Sequence, residues 1–499
     1  MRNAHHVAAV RAAESALMET VPEGALMQRA AAGLASVCIG LLPAVYGSRV
    51  VVLAGSGDNG GDALYAGARL AARGAVVTAV AAAARVHEAG AATLRGSGGR
   101  VIEAADPAGR TAADRAIAAA DLVIDGLLGI GGHGGLREPA AALAASAERA
   151  PGPVVAVDLP SGIDADTGEV AGAAVTADVT VTFGTFKPGL LIDPGASHAG
   201  VVEFVDIGLG PYLSRPDVAA AQAADIADWL PRPTAESDKY RRGVLGIVAG
   251  SDRFTGAAPL AVGGAIRGGA GMVRLVSSDI PVGLVRQRWP EAVLTTTHAG
   301  QEAGAAIEQA GRVQAWTAGP GMGTGDDSLS LLSAVLATDL PVLVDADGIT
   351  LLAAHRGELL PRSAPTLLTP HAGELSRLLG ADRADIEARR LHFVTQAAAE
   401  LGCTVLLKGS TTVIASPEPD REVLVNPTGT SWLATAGSGD VLSGLAGSLL
   451  AQGLDPARAA AAAAYLHGVA ARLAADGAPI GAEDIITALP AAIRTVETP

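Results

Sequence analysis

Short apolar runs alternate with alanine-rich stretches through the first part of the chain. The runs are RVVVLA (49–54), AVVTAVA (75–81), DLVID (121–125), PVVAVD (153–158), DVTVTF (178–183) and VVEFVD (201–206). This alternation with helical patterns predicts a parallel sheet with helices on both faces. Residues 1–40 precede these runs and have apolar residues spaced by three and four, which predicts two helices.

A second series of the same kind occupies the rest of the chain. Its runs are GVLGIVAG (243–250), MVRLVS (272–277), VQAWTAG (313–319), PVLVDAD (341–347), TLLTP (366–370) and TVLLKG (404–409). TTVIAS (411–416) and EVLVNP (422–427) then predict an antiparallel pair of strands, and alanine-rich helices follow.

The segment between the two series, residues 211–238, has no such run and contains four prolines, which favours a linker. A chain of 499 residues is also too long for one ordinary core. We therefore predict an α/β protein with one domain over residues 1–212, a linker over 213–235 and a second domain over 236–499.

Composition narrows the class of protein. Hydrophobic residues make up 49% and charged residues 17%, which is typical of a well-buried globular protein. A net charge of -15 with 3% aromatic residues argues against a nucleic-acid-binding surface. No stretch of 18 apolar residues lacks Gly, Pro or a charge, and the charged N-terminus does not resemble a signal peptide. We expect a cytoplasmic homo-oligomer that binds small molecules, with no nucleic-acid or membrane partner.

Two residue types are scarce. Cys38 and Cys403 lie far apart in apolar surroundings and are expected to be buried and reduced. Lysine occurs only as Lys187, Lys239 and Lys408 among 36 basic residues. Because arginine serves wherever a generic positive charge is enough, each lysine is a candidate for a position that needs an ammonium group, with chance as the alternative.

Three loops of the first domain follow strands, where ligands of open α/β sheets bind. They are GSGDNGGDA (55–63), VIDGLLGIGGHGG (123–135) and VDLPSGIDADTG (157–168). The first has the G-x-G-x-x-G spacing of a dinucleotide loop, but Asp58 and Asp62 stand where a pyrophosphate would lie. The second strand also ends without the acid that would bind a ribose, so the sequence argues against a nicotinamide dehydrogenase.

The polar residues of these loops suggest a different use. Asn59, Asp125 and Ser161 would converge with backbone carbonyls as hard oxygen ligands for an alkali or alkaline-earth cation. The amides of GIGGHGG could hold a phosphate, and Asp158 could bind a sugar or a base. For each acid alone, a helix cap or an Asx-turn is the alternative.

The motifs GSGDNGGDA, DGLLGIGGHGG, DLPSGIDADTG and TFKPG resemble the NAD(P)H-hydrate epimerase family over about residues 1–212. The resemblance implies a K⁺ site formed by Asn59, Asp125 and Ser161. It also implies that the hydrated nucleotide is bound by two loop segments and one strand-end acid: Asp58, Asn59, Gly60, Gly61, Asp62, Gly129, Ile130, Gly131, Gly132, His133, Gly134, Gly135 and Asp158. The chain departs from the family at Asp58, where Asn is common, and at Ala63, where Gly is common.

Lys187 follows a strand in TFGTFKPGLL and is a candidate catalytic residue. Its ammonium group could pair with a phosphate or assist proton transfer at the hydrated carbon. A structural salt bridge is the alternative.

The segment ATAGSGDVLSGLAGSLL (434–450) indicates a second site. Gly437, Ser438 and Gly439 precede Asp440 at the predicted start of a helix, where successive amides form an anion hole. Asp440 could then act as the base on a hydroxyl that attacks phosphorus, or could simply cap the helix. The motif resembles the G-x-G-D of the ribokinase-like superfamily.

Further motifs accompany it. His371 and Glu374 in LLTPHAGEL stand where many ribokinase-like enzymes have Asn-x-x-Glu, whose Glu binds Mg²⁺ through water; here His replaces the Asn. AGPGMGTG (318–325) supplies further amides, and Lys408 ends a strand.

Together with GSDRFTGAAPLAV (250–262), these motifs resemble the ADP-dependent NAD(P)H-hydrate dehydratase family over about residues 236–499. The resemblance implies that Ala257, Gly321, His371 and Asp440 contact the hydrated nucleotide. The adenine nucleotide would be bound by Lys408, Gly409, Ser410, Thr411, Thr412 and Gly439. Bacterial members use ADP and eukaryotic relatives ATP, and the loops themselves do not separate the two donors.

We therefore expect a Rossmann-like three-layer domain followed by a ribokinase-like α/β domain. Their joint function would be to epimerise NADHX or NADPHX and to dehydrate one epimer with ADP, using K⁺ and Mg²⁺. The rival hypotheses are a kinase of a small vitamin precursor and an N-terminal domain that only binds or scaffolds.

Overall fold

The computed structural model describes residues 1–83, 85–104, 106–298, 300–360 and 362–497. The chain divides into two compact units: Asn3–Val218 forms the first, and Ala219 onward together with Met1–Arg2 forms the second.

The first unit is built around a seven-stranded sheet whose order is β4-β3-β2-β5-β6-β7-β8. A short strand β1 (Arg2–Ala4) opens the chain, and the sheet strands are β2 (Arg49–Ala54), β3 (Val76–Ala81), β4 (Arg100–Glu103), β5 (Leu122–Gly126), β6 (Val154–Val157), β7 (Val179–Phe183) and β8 (Val201–Val205). The helices are α1 (Val7–Met18), α2 (Ala25–Leu41), α3 (Asp58–Ala71), α4 (Glu88–Gly96), α5 (Pro107–Ile117), α6 (Ala140–Ala147) and α7 (Gly195–Ala199).

Neighbouring strands of this sheet pair in parallel, and side chains of β2 alternate between its faces. Val50 and Val52 join a core with residues of α1, α2 and α3, whereas Val51 and Leu53 join a second core with residues of α5 and α6. Both faces are therefore covered by helices, which confirms the predicted three-layer architecture.

The second unit contains a longer mixed sheet in the order β9-β18-β17-β16-β15-β14-β13-β10-β11-β12. Its strands are β9 (Val218–Ala220), β10 (Val244–Val248), β11 (Met272–Ser277), β12 (Val293–Thr296), β13 (Ala315–Ala318), β14 (Val342–Val344), β15 (Thr366–Leu368), β16 (Thr404–Leu407), β17 (Thr412–Ala415) and β18 (Val423–Asn426). Strands β10 to β16 pair in parallel, and β17 pairs antiparallel with β16 and β18, which confirms the predicted antiparallel pair.

The helices of this unit are α8 (Ala223–Trp229), α9 (Ala257–Arg267), α10 (Asp279–Arg288), α11 (Ala303–Ala310), α12 (Asp326–Leu336), α13 (Ala346–Ala354), α14 (Arg356–Leu359), α15 (Ala372–Leu379), α16 (Arg383–Ala388), α17 (Arg390–Leu401), α18 (Ser438–Ala451), α19 (Pro456–Ala475) and α20 (Ala482–Glu497). Helices α9, α18 and α19 are rich in alanine and glycine and supply nearly half of the residues of one core. Their small side chains let these helices pack closely.

The segment predicted as a linker, 213–235, contains regular secondary structure. Residues 218–220 form the buried strand β9 beside β18, and α8 follows within the same segment. The boundary between the units falls between Val218 and Ala219. The strand was not predicted because VAA has a single β-branched residue among alanines, which is a weak strand pattern. Its extended conformation depends on pairing with β18.

Strands β4 and β12 were also not predicted. Both include exposed or half-exposed positions, and each occupies an edge of its sheet. An edge strand needs less apolar surface, so its sequence pattern is faint.

Both cysteines are buried, and burial raises the pKa of each thiol to about 12. Within the described ranges, no helix is long and apolar enough to cross a membrane.

Candidate active sites

The three predicted cation ligands meet around the loop after β5. Ser161 Oγ donates to Asp125 Oδ1 over 2.7 Å, and the Leu128 amide donates to Ser161 Oγ over 2.8 Å. Asn59 Nδ2 donates to the Leu128 carbonyl over 2.9 Å. Residues from three separate loops thus form one oxygen-rich cluster.

Asp125 is the buried centre of this cluster. Its carboxylate also accepts the backbone amides of Ser161 at 2.8 Å and Leu127 at 3.2 Å. Complete burial raises the pKa of Asp125 to about 6, although the hydrogen bonds from Ser161 oppose the shift. A nearby cation would stabilise the charged form of such a carboxylate. Among the residues described, no group of three or more His, Cys, Asp or Glu side chains is arranged to hold a metal ion.

Two glycines of GSGDNGGDA are required by packing. A Cβ at Gly55 would collide with the Leu127 carbonyl, and a Cβ at Gly60 would collide with the Gly55 carbonyl. These glycines let the loop after β2 lie directly against the loop after β5 and bring Asn59 to the cluster. The first and last glycines of the G-x-G-x-x-G spacing therefore have a structural cause here that does not depend on a pyrophosphate.

Lys187 and Asp158 form a buried ion pair. Lys187 is 1% exposed and donates to Asp158 Oδ1, to Thr182 Oγ1 at 3.1 Å and to the Phe183 carbonyl at 3.2 Å. Its three N–H groups are thus used inside the protein, which supports the salt-bridge alternative. Asp158 has φ 65°, a left-handed conformation that is strained for a non-glycine residue, and Lys187 helps to hold it there.

The acids of the first glycine loop lie at the start of α3. Asp58 is exposed, whereas Asp62 Oδ1 is buried and has no hydrogen-bond partner in the described part of the chain. Burial, reinforced by the charges of Asp158 and Asp58, raises the pKa of Asp62 well above its ordinary value. Asp62 therefore keeps an unsatisfied polar atom, which a substrate hydroxyl could satisfy.

The second glycine loop runs beside the cluster. A Cβ at Gly129 would lie 3.0 Å from the Asn59 side chain, and a Cβ at Gly135 would lie 2.5 Å from the Gly172 Cα. His133 is exposed, and its Nδ1 lies 3.2 Å from Asp164 Oδ2. The structure thus brings this loop to the oxygen-rich cluster, and the His133 side chain faces Asp164.

In the second unit, Lys408 lies among carboxylates at the carboxyl ends of β14, β15 and β16. Its Nζ is 2.7 Å from Asp345 Oδ1 and 3.7 Å from Glu374 Oε2. Asp345 is 1% exposed, and its Oδ2 accepts Ser443 Oγ at 2.5 Å. Burial lowers the pKa of Lys408, but the charges of Asp345 and Glu374 outweigh burial and raise it overall. Lys408 is therefore a permanent cation.

Asp440 lies in the first turn of α18, after the Gly437 turn with φ 86°. Burial, followed by the charge of Asp345, raises the pKa of Asp440 to about 7, while Lys408 acts in the opposite direction. A Cβ at Gly439 would lie 3.7 Å from Lys408 Nζ, so Lys408 lies next to the glycine turn that precedes Asp440. A carboxylate with a pKa near 7 is suited to accept a proton at neutral pH.

His371 caps helix α15. Its Nδ1 accepts the amides of Gly373 at 3.0 Å and Glu374 at 3.2 Å, and Glu374 Oε2 accepts the His371 amide at 2.8 Å. An imidazole nitrogen thus performs the capping role that an Asn side chain performs well. Burial lowers the pKa of His371, so the ring is neutral at neutral pH and Nε2 carries its proton.

The other predicted contacts fall in two places. Ala257 and Gly321 are neighbours, since a Cβ at Gly321 would lie 2.7 Å from that of Ala257. The turn from Lys408 to Thr412 joins β16 to β17, with Gly409 and Ser410 exposed and Thr411 buried. A Cβ at Gly409 would collide with the guanidinium of Arg390.

Three further residues close to these sites were not predicted from the sequence. Glu14 and Arg11 on α1 belong to the first, and Asp345 belongs to the second. Burial and the nearby Asp158 raise the pKa of Glu14. Arg11 and Glu14 follow Val7 by four and seven residues, so all three lie on one face of the helix. Charged residues on the same face as an apolar residue are the signal in the sequence that could have indicated them.

Two family models match the chain in succession. Residues 23–189 match the model described as YjeF-related protein N-terminus, and residues 245–491 match NAD(P)H-hydrate dehydratase. The bifunctional NAD(P)H-hydrate repair enzyme Nnr of Mycobacterium leprae is 47% identical over 96% of this chain and 96% of its own length. The chain belongs to the family of bifunctional NAD(P)H-hydrate repair enzymes.

Other comparisons with this repair-enzyme family and its fold agree. The enzyme Nnr of Moorella thermoacetica is 36% identical over 90% of this chain and 88% of its own length. The ADP/ATP-dependent NAD(P)H-hydrate dehydratase of Bacillus subtilis, co-crystallised with ATP and Mg²⁺, is 32% identical with a TM-score of 0.51, covering 55% of this chain and 98% of that one. A ribokinase-like protein of Enterococcus faecalis, 24% identical with a TM-score of 0.51, covers 57% of this chain and 99% of its own and shows the fold. The predicted ribokinase-like second domain is confirmed.

Proposed function

We propose that this chain repairs hydrated NAD(P)H in two steps. The first unit interconverts the R and S epimers, and the second dehydrates the S epimer at the expense of ADP, giving AMP and phosphate. The observation that carries the proposal is the joint position of Asp440, Lys408 and the Gly437–Gly439 turn at the start of α18. Such a site can bind phosphate and take a proton from an attacking hydroxyl.

In the second unit, Asp440 removes the proton from the hydroxyl of the hydrated ring. The oxygen then attacks the terminal phosphorus of ADP, and AMP leaves. Loss of the new phosphate group with a ring proton restores the dihydronicotinamide. Lys408 and the amides of Gly437–Gly439 face the transferred phosphate, and Ala257, Gly321 and His371 hold the hydrated nucleotide. Glu374 and Asp345 have the carboxylate chemistry that Mg²⁺ prefers, and Mg²⁺ bound there would neutralise phosphate charge.

In the first unit, Asn59, Asp125 and Ser161 are neutral or singly charged oxygen donors around the Leu128 carbonyl, a set that suits K⁺. Lys187 holds Asp158 in place, and the charge of Asp158 raises the pKa of Asp62, whose buried oxygen lacks a hydrogen-bond partner in the described chain. We therefore place both acids at the same site. Asp62 offers a hydrogen-bonding group to the hydroxyl on the ring carbon whose configuration changes. A cytoplasmic location and a homo-oligomeric state stay predictions from the sequence.

The discriminating experiment uses the full chain with mixed epimers of hydrated NADH. With ADP, the absorbance band of the reduced nicotinamide should return to completion, and AMP and phosphate should appear in equal amounts. A small-molecule kinase would instead leave the hydrate unchanged and phosphorylate a vitamin precursor. Repeating the assay with ATP in place of ADP identifies the preferred donor.

Asp125→Asn should separate the two activities in the same assay. Loss of the charged ligand should weaken K⁺ binding and lower epimerisation roughly tenfold or more, the scale seen when metal-site residues are altered. Dehydration of mixed epimers should then become biphasic, with the fast phase unchanged and a slow phase that follows epimerisation.

Asp121→Asn is the matched control, because Asp121 immediately precedes β5 at the end opposite Asp125 and is partly exposed. Circular dichroism checks that both variants are folded. A single fast phase with Asp125→Asn would contradict the assignment of the first unit as the epimerase.

A further inference from the structure

Arg11, in helix α1, places its guanidinium on the second glycine loop of the first unit. A Cβ at Gly131 would lie 3.0 Å from Arg11 Nη2, and apart from the chain neighbours of Gly131 no other described atom would lie within 4 Å of it. Both residues are exposed, and Arg11 makes no hydrogen bond or ion pair with the rest of the described chain. A guanidinium with free donors therefore borders the loop whose amides are predicted to hold phosphate.

The position of Glu14 supports this orientation of α1. Val7, Val10 and Leu17 anchor the helix in the protein, and Glu14 lies one turn after Arg11. Burial raises the pKa of Glu14, the charges of Asp158 and Asp58 raise it further, and the charges of Lys187 and Arg11 lower it. This side of α1 therefore faces the residues expected to bind the hydrated nucleotide.

The acids around the first site favour a further positive charge wherever a phosphate binds. Asp58, Asp62, Asp158 and Glu14 interact there as acids, while Lys187 already donates to three protein groups. Burial raises the pKa of Asp62 and of Glu14, and Asp158 is paired with Lys187, so the exposed carboxylate of Asp58 is the group that would repel an anionic pyrophosphate. A guanidinium matches two phosphate oxygens at once and keeps its charge at every physiological pH.

We propose that Arg11 binds a phosphate of the hydrated nucleotide at Gly131 and makes the first site selective for phosphate-bearing substrates. The proposal rests on the epimerase function proposed for the first unit. It also orients the substrate, with its phosphates at Gly131 and its hydrated ring towards Asp158 and Asp62.

The test measures epimerisation by the full chain without ADP, so that the second unit is silent. Separated epimers of hydrated NADH and of hydrated, reduced nicotinamide riboside, which has no phosphate, are followed by chromatography. Arg11→Ala should raise KM for the dinucleotide roughly tenfold or more, as expected for loss of a charged hydrogen bond, with kcat little changed. Kinetics with the riboside should not change. Arg11→Lys should recover part of the loss because it keeps the charge.

Arg73→Ala is the matched control. Arg73 is an exposed arginine just beyond the end of α3, and the loop residues Asp58–Asp62 lie at the opposite end of that helix. An unchanged KM for the dinucleotide in Arg11→Ala would overturn the proposal. An equal rise in KM for the riboside would also overturn it, because it would indicate a structural role for Arg11.

Failure of the proposed function has a different outcome, in which the wild-type chain interconverts neither substrate. Calorimetric titration with inorganic pyrophosphate then tests Arg11 by itself. Weaker pyrophosphate binding by Arg11→Ala than by wild type and Arg73→Ala would support the phosphate role. Equal binding by all three proteins would overturn it.

Discussion

Asp440→Asn is expected to slow ADP-dependent dehydration by about 10² or more, the scale of losing a general base, and to leave epimerisation unchanged. Asparagine has nearly the same shape but cannot take the proton of the substrate hydroxyl. Asp440 lies in the first turn of α18 next to the glycine turn, so the variant removes the proton acceptor without removing the phosphate-binding amides. The measurement is the single-turnover rate with the S epimer and saturating ADP.

The dependence of the dehydration rate on pH also tests the role of Asp440. Burial raises the pKa of Asp440 to about 7, and only the deprotonated form can act as a base. The dehydration rate should therefore fall as the pH drops below about 7 and reach a plateau above it. In Asp440→Asn this limb of the profile should disappear from the residual rate.

Asp385→Asn is the control, since Asp385 also lies in the first turn of a helix, α16, but is exposed. Its rate and pH profile should match the wild type. A nearly normal rate for Asp440→Asn, or an acid limb that persists in that variant, would remove Asp440 from the role of base.

Lys408→Ala is expected to lower the free energy of unfolding of the second unit by about 3 kcal/mol, because it leaves buried acids without their cation. Asp345 is 2% exposed and Glu374 is 7% exposed in their side chains, and both lie within 4.0 Å of Lys408 Nζ. The variant should also raise KM for ADP and spare the epimerase. The chain's four tryptophans, at positions 229, 289, 316 and 432, all belong to the second unit, so tryptophan fluorescence in urea reports its unfolding.

The double variant Lys408→Met, Asp345→Asn separates the loss of charge balance from the loss of contacts. It removes one unpaired carboxylate and should therefore be more stable than Lys408→Ala. Lys239→Ala is the control for an exposed lysine of the same unit and should change neither stability nor KM. If Lys408→Ala had wild-type stability and an unchanged KM for ADP, Lys408 would neither balance the buried acids nor bind the nucleotide.

Local residue patterns were enough to predict the alternation of strands and helices and the loops that carry the candidate site residues. Runs such as RVVVLA and GVLGIVAG form strands as predicted, because a local apolar pattern specifies a buried strand. Asn59, Asp125 and Ser161 could be proposed together, because each lies at or just beyond the carboxyl end of a strand and parallel strands end at one edge. Their meeting at Leu128 followed from that rule.

The pairing of charged groups depends instead on contacts between distant parts of the chain. Lys408 pairs with Asp345 across 63 residues of sequence, and no local spacing indicates that pair. It forms because β14 and β16 flank β15 in one parallel sheet, which brings their carboxyl ends together. In the same way, the packing of α1 brings Arg11 to Gly131. The segment VAA is a strand because it lies beside β18 in the sheet. Local patterns specify periodicity, whereas partners depend on strand order and packing between residues far apart in the chain.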